Sequence, residues 1–156
     1  MKLFPLNAGV SQIRGIIDLV KGNKIPMEIS KIAEDTKEDI ADLFPLIDAC
    51  SMLKLCTVKD GKVKLTSSAT KLTNTNKREV FARALATIEP FKSTISAVSK
   101  GNGISTKELS EKLYKKGIFF DSDEVTNIEL LKSLLFKWGI ENGLFSYDHA
   151  SDMWSK

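Results

Sequence analysis

Apolar residues recur every three to four positions along most of the chain, which predicts a mainly helical fold. The first stripe, over residues 10–20, predicts a helix that ends near Gly22. A second helix is expected to hold Pro26 in its first turn, and a third to begin after an N-cap at Thr36. Pro45 lies within the third helix and should kink or interrupt it. The inward positions expected for the third helix are Ile40, Leu43, Ile47, Cys50 and Leu53.

The period of the apolar pattern changes to two at residues 56–66. Apolar and polar residues alternate on both sides of Asp60-Gly61, a pair that suits the left-handed backbone of a two-residue turn. This pattern predicts a β-hairpin, followed by a short helix over residues 67–73. Three helices and a hairpin in this order outline a winged helix, in which the hairpin is the wing.

The rest of the chain repeats this order of elements loosely. A long helix over residues 80–98 is expected to kink at Pro90. A capping box at residues 105–108 begins a short helix, and Asp121 or Ser122 is expected to cap the next one. The apolar stripe expected for that last helix is Val125, Ile128, Leu131, Leu135 and Trp138.

Two short strands are predicted near the C-terminus, over residues 144–147 and 153–154. They would complete a second winged-helix-like unit. The predicted fold class is therefore mainly α with small β-hairpins, arranged as two winged-helix-like units packed together. The predicted domains are residues 1–75 and 76–156, either as separate units or as one continuous domain.

Composition narrows the class of protein. The 156 residues are 42% hydrophobic and 28% charged, which is enough for a compact core and argues against disorder. No apolar run approaches the ~18 residues of a membrane span, and none resembles a signal peptide, so we expect a cytoplasmic protein without a membrane span. The two cysteines, Cys50 and Cys56, are expected to be reduced and buried.

The positive charge is concentrated in the middle of the chain. Residues 56–100 carry nine basic and three acidic side chains, a net charge of +6, whereas the whole chain carries +3. Such a block can attract phosphate or an acidic partner. The candidate contacts on and near the wing are Lys59, Lys62, Lys64 and Lys71. The alternative is that these lysines only protect exposed strand edges against aggregation.

The predicted helix-turn-helix has the opposite charge. Between Glu28 and Asp48 two lysines stand against seven carboxylates, a net charge of −5, and there is no arginine. Phosphate repels such a face, so the usual docking of a recognition helix in the major groove is disfavoured. We expect Glu38, Asp39 and Asp42 to form an acidic surface for a protein partner.

The sequence contains no pattern typical of catalysis or cofactor binding. It lacks a phosphate-binding loop, and the spacing of Cys50 and Cys56 is too wide for a zinc pair. A single histidine, His149, leaves no nucleophile–base pair with support nearby. We therefore expect no enzyme, no cofactor and no metal. Trp154 is expected either to pack in the core or to be an exposed anchor for a partner.

Short matches in order along the chain carry a resemblance to a known family. They are Gly15-Ile16-Ile17, Ile32-Ala33-Glu34, Leu43 with Pro45, Asp60-Gly61, Leu65-Thr66, Arg78 with Phe81, Pro90, Trp138-Gly139 and Phe145-Ser146-Tyr147-Asp148. The chain resembles the C-terminal AAA-associated domain of the ATP-binding subunits of nitrate/sulfonate/bicarbonate-type ABC transporters. It departs from the family at residues 140–142, where Ile-Glu-Asn replaces an arginine followed by an aromatic residue. With no ATPase domain in this sequence, the resemblance implies a free-standing regulatory or interaction module.

Three functions follow as hypotheses. The first is a non-enzymatic protein-interaction module whose partner is an ABC-type ATPase or a second copy of the chain. The second is a winged-helix transcriptional regulator that contacts DNA phosphates through the basic wing. The third is a sensor with a small-ligand pocket between the two halves, near Pro90.

Overall fold

A computed structural model describes residues 1–23 and 25–156 of the chain. Backbone contacts divide it into two compact units, which we call the first unit (residues 7–80) and the second unit (residues 1–6 and 81–156). Each unit consists mainly of helices with one three-stranded antiparallel sheet. The predicted class, mainly α with small hairpins, is confirmed. The domains 1–75 and 76–156 and their winged-helix assignment stay a prediction.

The first unit contains four helices and three short strands in the part that the structure describes. In chain order they are α1 (Val10–Gly22), β1 (Met27–Glu28), α2 (Ile29–Thr36), α3 (Ile40–Met52), β2 (Cys56–Lys59), β3 (Lys62–Leu65) and α4 (Ser67–Thr70). The strand order in the sheet is β1-β3-β2. Asp60 and Gly61 both have positive φ, at 53° and 72°, as a tight hairpin turn requires. The hairpin predicted from the Asp-Gly pair is therefore confirmed.

The division between the units falls within α5 (Lys77–Leu85), whose last five residues belong to the second unit. Its further elements are α6 (Phe91–Ser99), β4 (Ile104–Ser105), α7 (Thr106–Lys115), α8 (Glu124–Leu134), a π-helical continuation (Leu135–Ile140), β5 (Ser146–Asp148) and β6 (Met153–Ser155). The sheet order is β4-β6-β5. Both units thus run helix, strand, helix, helix, strand, strand, and in both the third strand lies in the middle of the sheet.

Capping side chains set two helix starts that differ from the predictions. The hydroxyl of Thr36 donates to the carbonyl of Ile32 within α2, at 2.7 Å, so Thr36 is not the cap of α3. The carboxylate of Asp39 takes that place and accepts a hydrogen bond from the backbone N–H of Ala41 at 3.2 Å. In the second unit Asp123 caps α8, instead of the expected Asp121 or Ser122. The cap predicted at Ser105 is confirmed.

Two of the three prolines that bear on helix boundaries act differently from expectation. Pro26 precedes β1 and is not part of the second helix, which begins at Ile29. Pro45 lies inside α3, which runs without interruption to Met52, so of the two expected effects the kink stays a prediction. Pro90 separates two helices, α5 and α6, so the single kinked helix predicted over residues 80–98 is wrong.

Aromatic rings fill the core of the second unit. Phe4 from the N-terminal segment is fully buried, and its ring meets Phe91 and Trp138 edge to face at 5.7 and 4.9 Å. The backbone N–H of Phe4 also donates to the carbonyl of Glu89 at 3.0 Å. Trp154 is completely buried as well, so its suggested role as an exposed anchor is wrong. Within the described residues, no helix is both long enough and apolar enough to cross a membrane.

Candidate interaction surfaces

The three wing lysines share one face of the first sheet. Across the hairpin Lys59 lies opposite Lys62, and Lys64 lies opposite Thr57. Because directly opposite residues of antiparallel strands point to the same side, these side chains lie together on the exposed outer face. Within the described residues none of the three lysines forms an ion pair. Two like charges directly opposite each other weaken the hairpin. The local excess of positive charge also gives this face an attraction for anions.

Two features limit the wing as a site. Glu28 of β1 lies opposite Lys62 in the sheet and adds a carboxylate to the same face. Lys71 lies outside the sheet, at the end of α4, where its carbonyl accepts a hydrogen bond from the side-chain amide of Asn76 at 2.9 Å. The structure therefore groups three of the four predicted lysines and leaves Lys71 on another element.

The predicted acidic residues meet at the start of α3. We call Glu38, Asp39 and Asp42 the acidic surface; all three are exposed. Glu38 and Asp42 line a cavity of about 260 Å³ together with Asn7, Gln12, Pro45 and Leu46. Asp39 caps the helix, and the positive end of the helix dipole favours carboxylates at this position.

Ion pairs compensate the carboxylates of α2 but not those of the acidic surface. Lys31 lies 3.1 Å from the carboxylate of Asp35 and 4.0 Å from that of Glu34, so it compensates the acidic side chains of α2. The hydrogen bond to Asp35 raises the pKa of Lys31. In contrast, Glu38, Asp39 and Asp42 form no ion pair with any residue in the described part of the chain.

Two apolar side chains are exposed on another side of the same helix. Ile40 and Phe44, which we call the apolar pair, are one helical turn apart on α3 and are 42% and 50% exposed. The expected inward position of Ile40 is therefore wrong, because the buried side of α3 is formed by Leu43, Leu46 and Ile47. Helical phase alone does not reveal this exposure, because Ile40 lies seven residues before the buried Ile47, within about 20° of it around the helix. Val125 of α8 is likewise 66% exposed instead of inward.

A groove between α6 and α7 brings together lysines that the net charges of the sequence segments did not reveal. We call it the α6–α7 groove; its volume is about 350 Å³. It is lined by Ser93, Ser96, Ala97, Lys100, Leu109, Lys112, Leu113, Lys115 and Lys116. Four of these are lysines and none is acidic. The sequence signal was present, because Lys112, Lys115 and Lys116 have i, i+3, i+4 spacing, but residues 101–156 carry a net charge of −2 that conceals it.

A second cavity of this unit, of about 340 Å³, lies between α7 and α8. Its lining includes Asn127, whose side-chain amide donates to the hydroxyl of Ser110 at 3.1 Å. The carbonyl oxygen of Asn127 accepts a hydrogen bond from the backbone N–H of Phe120 at 2.7 Å. Because both ends of the amide are engaged, Asn127 holds the loop before α8 in place.

A polar network ties the C-terminal hairpin to α7. One carboxylate oxygen of Asp152 accepts hydrogen bonds from the hydroxyls of Tyr147 and Thr106, at 2.5 and 2.7 Å. These two bonds hold the pKa of Asp152 below its usual range, and the bond from Tyr147 has the larger effect. Lys132 lies 5.0 Å from the centre of the Tyr147 ring, and a hydrogen bond with Tyr147 raises the pKa of Lys132. His149 stacks on the ring of Phe136, 5.5 Å away.

The two cysteines are buried and free. A hydrogen bond with Cys56, together with burial, raises the pKa of the Cys50 thiol, and the same hydrogen bond lowers the pKa of the Cys56 thiol. A thiol with a raised pKa is a poor nucleophile, because only the thiolate reacts. Within the described residues, no group of three or more side chains is placed to hold a metal ion.

A comparison with models of known protein families identifies the family of the chain. The family model described as "C-terminal AAA-associated domain" matches residues 30–148, about three quarters of the sequence. No curated protein and no solved structure matches the chain. The matched stretch includes α3 with the acidic surface, the wing, and both helices of the α6–α7 groove. The resemblance suggested by the sequence is confirmed, and the chain belongs to the C-terminal AAA-associated domain family.

Proposed function

We propose that this chain is a non-enzymatic regulatory module of the cytoplasm that binds a protein partner, either an ABC-type ATPase or a second copy. The family description associates the domain with ATPases. The single observation that carries the proposal is the acidic surface of α3, whose exposed carboxylates have no ion-pair partners in the described residues. The same helix also exposes the apolar pair.

This surface has the composition of a protein-binding site. Isolated exposed apolar residues are common on monomers, but two of them one turn apart give a partner something to desolvate. The neighbouring carboxylates would steer a basic partner and exclude acidic ones. Nucleic acid is disfavoured at this surface because phosphate is repelled by the same charges.

A role without catalysis fits the chemistry of the described residues. The thiols of Cys50 and Cys56 are both buried and are hydrogen-bonded to each other. The network of Asp152 is used to bind two hydroxyls of its own unit. These groups have structural partners, which supports an interaction module more than an enzyme.

Binding to the ATP-binding subunit of an ABC transporter from the same organism tests the proposal. Titration calorimetry should show a salt-sensitive complex, and E38K/D42K should weaken it about tenfold or more. A matched variant, E129K/E141K, reverses two exposed carboxylates in the second unit and should leave the affinity unchanged. Equal losses in both variants would show a general effect of charge and contradict a specific acidic surface.

The wing supports a second candidate function, contact with DNA phosphates through Lys59, Lys62 and Lys64. The observation behind it is that the three lysines share one exposed sheet face. A duplex should then be retarded in a gel at about 50 mM salt, and K59Q/K62Q/K64Q should weaken binding equally for all sequences. The control K92Q/K107Q/K156Q removes the same charge from exposed positions outside the wing. No retardation with the unmodified chain removes this candidate.

A further inference from the structure

We propose that the cavity between α7 and α8 binds a small ligand that carries a guanidinium group and an oxygen able to accept a hydrogen bond. We call it the α7–α8 cavity; its volume is about 340 Å³, within the range of small-ligand pockets. All of its lining residues belong to the second unit. The inference therefore concerns another part of the chain than the acidic surface and does not depend on the proposed function.

The lining of the α7–α8 cavity has a net negative charge. Glu111, Asp121 and Glu124 contribute three carboxylates, and Lys115 contributes one ammonium group, which leaves a net charge of −2. Within the described residues none of these four side chains forms an ion pair. The carboxylates can therefore accept hydrogen bonds from a cation, and such charge-assisted bonds are stronger than neutral ones.

Tyr114 adds an exposed aromatic ring to the same lining. Its side chain is 51% exposed, and its ring packs against that of Phe119, with the ring centres 4.8 Å apart and the planes inclined at 34°. Phe119 is itself 40% exposed. A guanidinium group is planar and weakly hydrated, so it stacks on aromatic rings while it donates to carboxylates. The ring beside the carboxylates therefore favours an organic cation over a strongly hydrated metal ion.

Ser110 and Asn127 give the cavity a buried polar contact. Both side chains line the cavity, although each residue is only 4% exposed. The amide of Asn127 donates to the hydroxyl oxygen of Ser110 at 3.1 Å, but the Ser110 O–H has no acceptor among the described residues. A buried donor without an acceptor is costly, and an oxygen atom of a ligand would supply the missing partner. This hydroxyl, independently of the carboxylates, points to a ligand.

Two other cavities of the chain fit such a ligand less well. The cavity beside Glu38 and Asp42 also carries carboxylates, but its lining contains neither an aromatic ring nor a buried polar side chain. The α6–α7 groove carries four lysines and no carboxylate, so it repels a cation. A guanidinium ligand should therefore select the α7–α8 cavity.

Titration of the full chain with Nα-acetyl-argininamide, followed by nuclear magnetic resonance, tests the proposal. The probe should bind with a Kd of about 1 mM or lower, and the amide signals of Tyr114, Asp121 and Asn127 should shift while those of α3 and α6 stay in place. Nα-acetyl-citrullinamide has the same shape with a neutral urea group and should bind about tenfold more weakly or worse. Equal affinities for the two probes would overturn the proposal, as would shifts confined to the cavity of Glu38 and Asp42.

Two further probes test the oxygen and the size of the ligand. N-butylguanidine carries the same cation without a carbonyl oxygen and should bind about fivefold more weakly, because the Ser110 hydroxyl then stays without an acceptor. Equal binding would contradict the role given to Ser110. A pentapeptide with arginine at its centre should bind no more tightly than Nα-acetyl-argininamide. A gain of about tenfold or more would show that the cavity takes a protein segment and would overturn the assignment to a small ligand.

Matched variants identify the groups that bind the probe. E111Q/E124Q removes two carboxylates of the cavity and should weaken binding about tenfold, whereas E129Q/E141Q removes two exposed carboxylates elsewhere in the second unit and should leave the affinity unchanged. Y114F keeps the ring and should bind normally, but Y114L should lose about fivefold. Circular dichroism confirms that each variant is folded. Equal affinities of E111Q/E124Q and its control would overturn the proposal and leave the proposed function untouched.

Discussion

The indole N–H of Trp154 donates a hydrogen bond to the hydroxyl of Thr106 at 2.8 Å, joining the last strand to the start of α7. Both residues are buried, so the indole has no water as an alternative partner. The same hydroxyl donates to the carboxylate of Asp152 at 2.7 Å. One threonine side chain therefore accepts one bond and donates another.

Replacing Thr106 by valine should destabilise the chain by about 2 kcal/mol, because a buried indole N–H loses its partner while the shape of the side chain is kept. Urea unfolding followed by tryptophan fluorescence measures the change. T106S keeps the hydroxyl and should cost much less. A T106V variant as stable as T106S would show that the hydrogen bond contributes nothing.

Asp152 should make the free energy of unfolding depend on pH. Its folded pKa is lowered, first by the hydrogen bond from Tyr147, so its contribution is complete above the unfolded pKa of about 3.9 and is lost as the pH falls through the folded pKa. D152N should therefore cost about 1 kcal/mol at pH 7, a modest value because the side chain is half exposed, and nearly nothing at the acid end. Unfolding curves between pH 7 and pH 2 measure this difference. A difference that is constant with pH would contradict the assignment.

Replacement of two glycines by alanine should change the stability of the chain in opposite directions. A β-carbon at Gly139 would overlap the ring of Phe145, which is itself buried, so G139A should lower the free energy of unfolding by about 1–3 kcal/mol. Gly15 lies in α1 with open space around it, and G15A should raise the free energy of unfolding by about 0.5–1 kcal/mol through helix propensity. Thermal unfolding of both variants tests the pair. A stable G139A would mean that the ring can move aside.

Asp39 has two roles that substitution can separate. D39A removes the cap of α3 and should cost about 0.5–1 kcal/mol, whereas D39N keeps an oxygen acceptor and should cost little. Both variants remove the same negative charge. Binding of a partner should therefore fall equally in the two, while only D39A lowers the midpoint of denaturation.

Local patterns predicted the elements whose causes are local. The hairpin follows from Asp60 and Gly61 alone, since both adopt positive φ in the turn. The strands β1 and β4 escaped prediction, because each has two residues and exists only through pairing with β3 or β6, far away in the sequence. Such pairing leaves no periodic signal over so short a stretch.

The interaction surfaces were predicted only in part, because a charge count along the sequence finds only residues that are close in sequence. Glu38, Asp39 and Asp42 are close in sequence, so a charge count finds them. The lysines of the α6–α7 groove come from two elements, with Lys100 after α6 and Lys112 on α7. A linear window averages the faces of a helix, and it therefore cancelled Lys112 against acidic residues such as Glu111, which lines the other cavity.

The buried ring of Phe4 packs against residues of the second unit that are synthesised much later. The aromatic cluster needs both Phe4 and Trp138, which lies far later in the chain. During translation residues 7–80 are available to fold as the first unit long before Phe4 can find its partners. A fragment of residues 81–156 alone would therefore be left with a ring-sized hollow at the centre of its core.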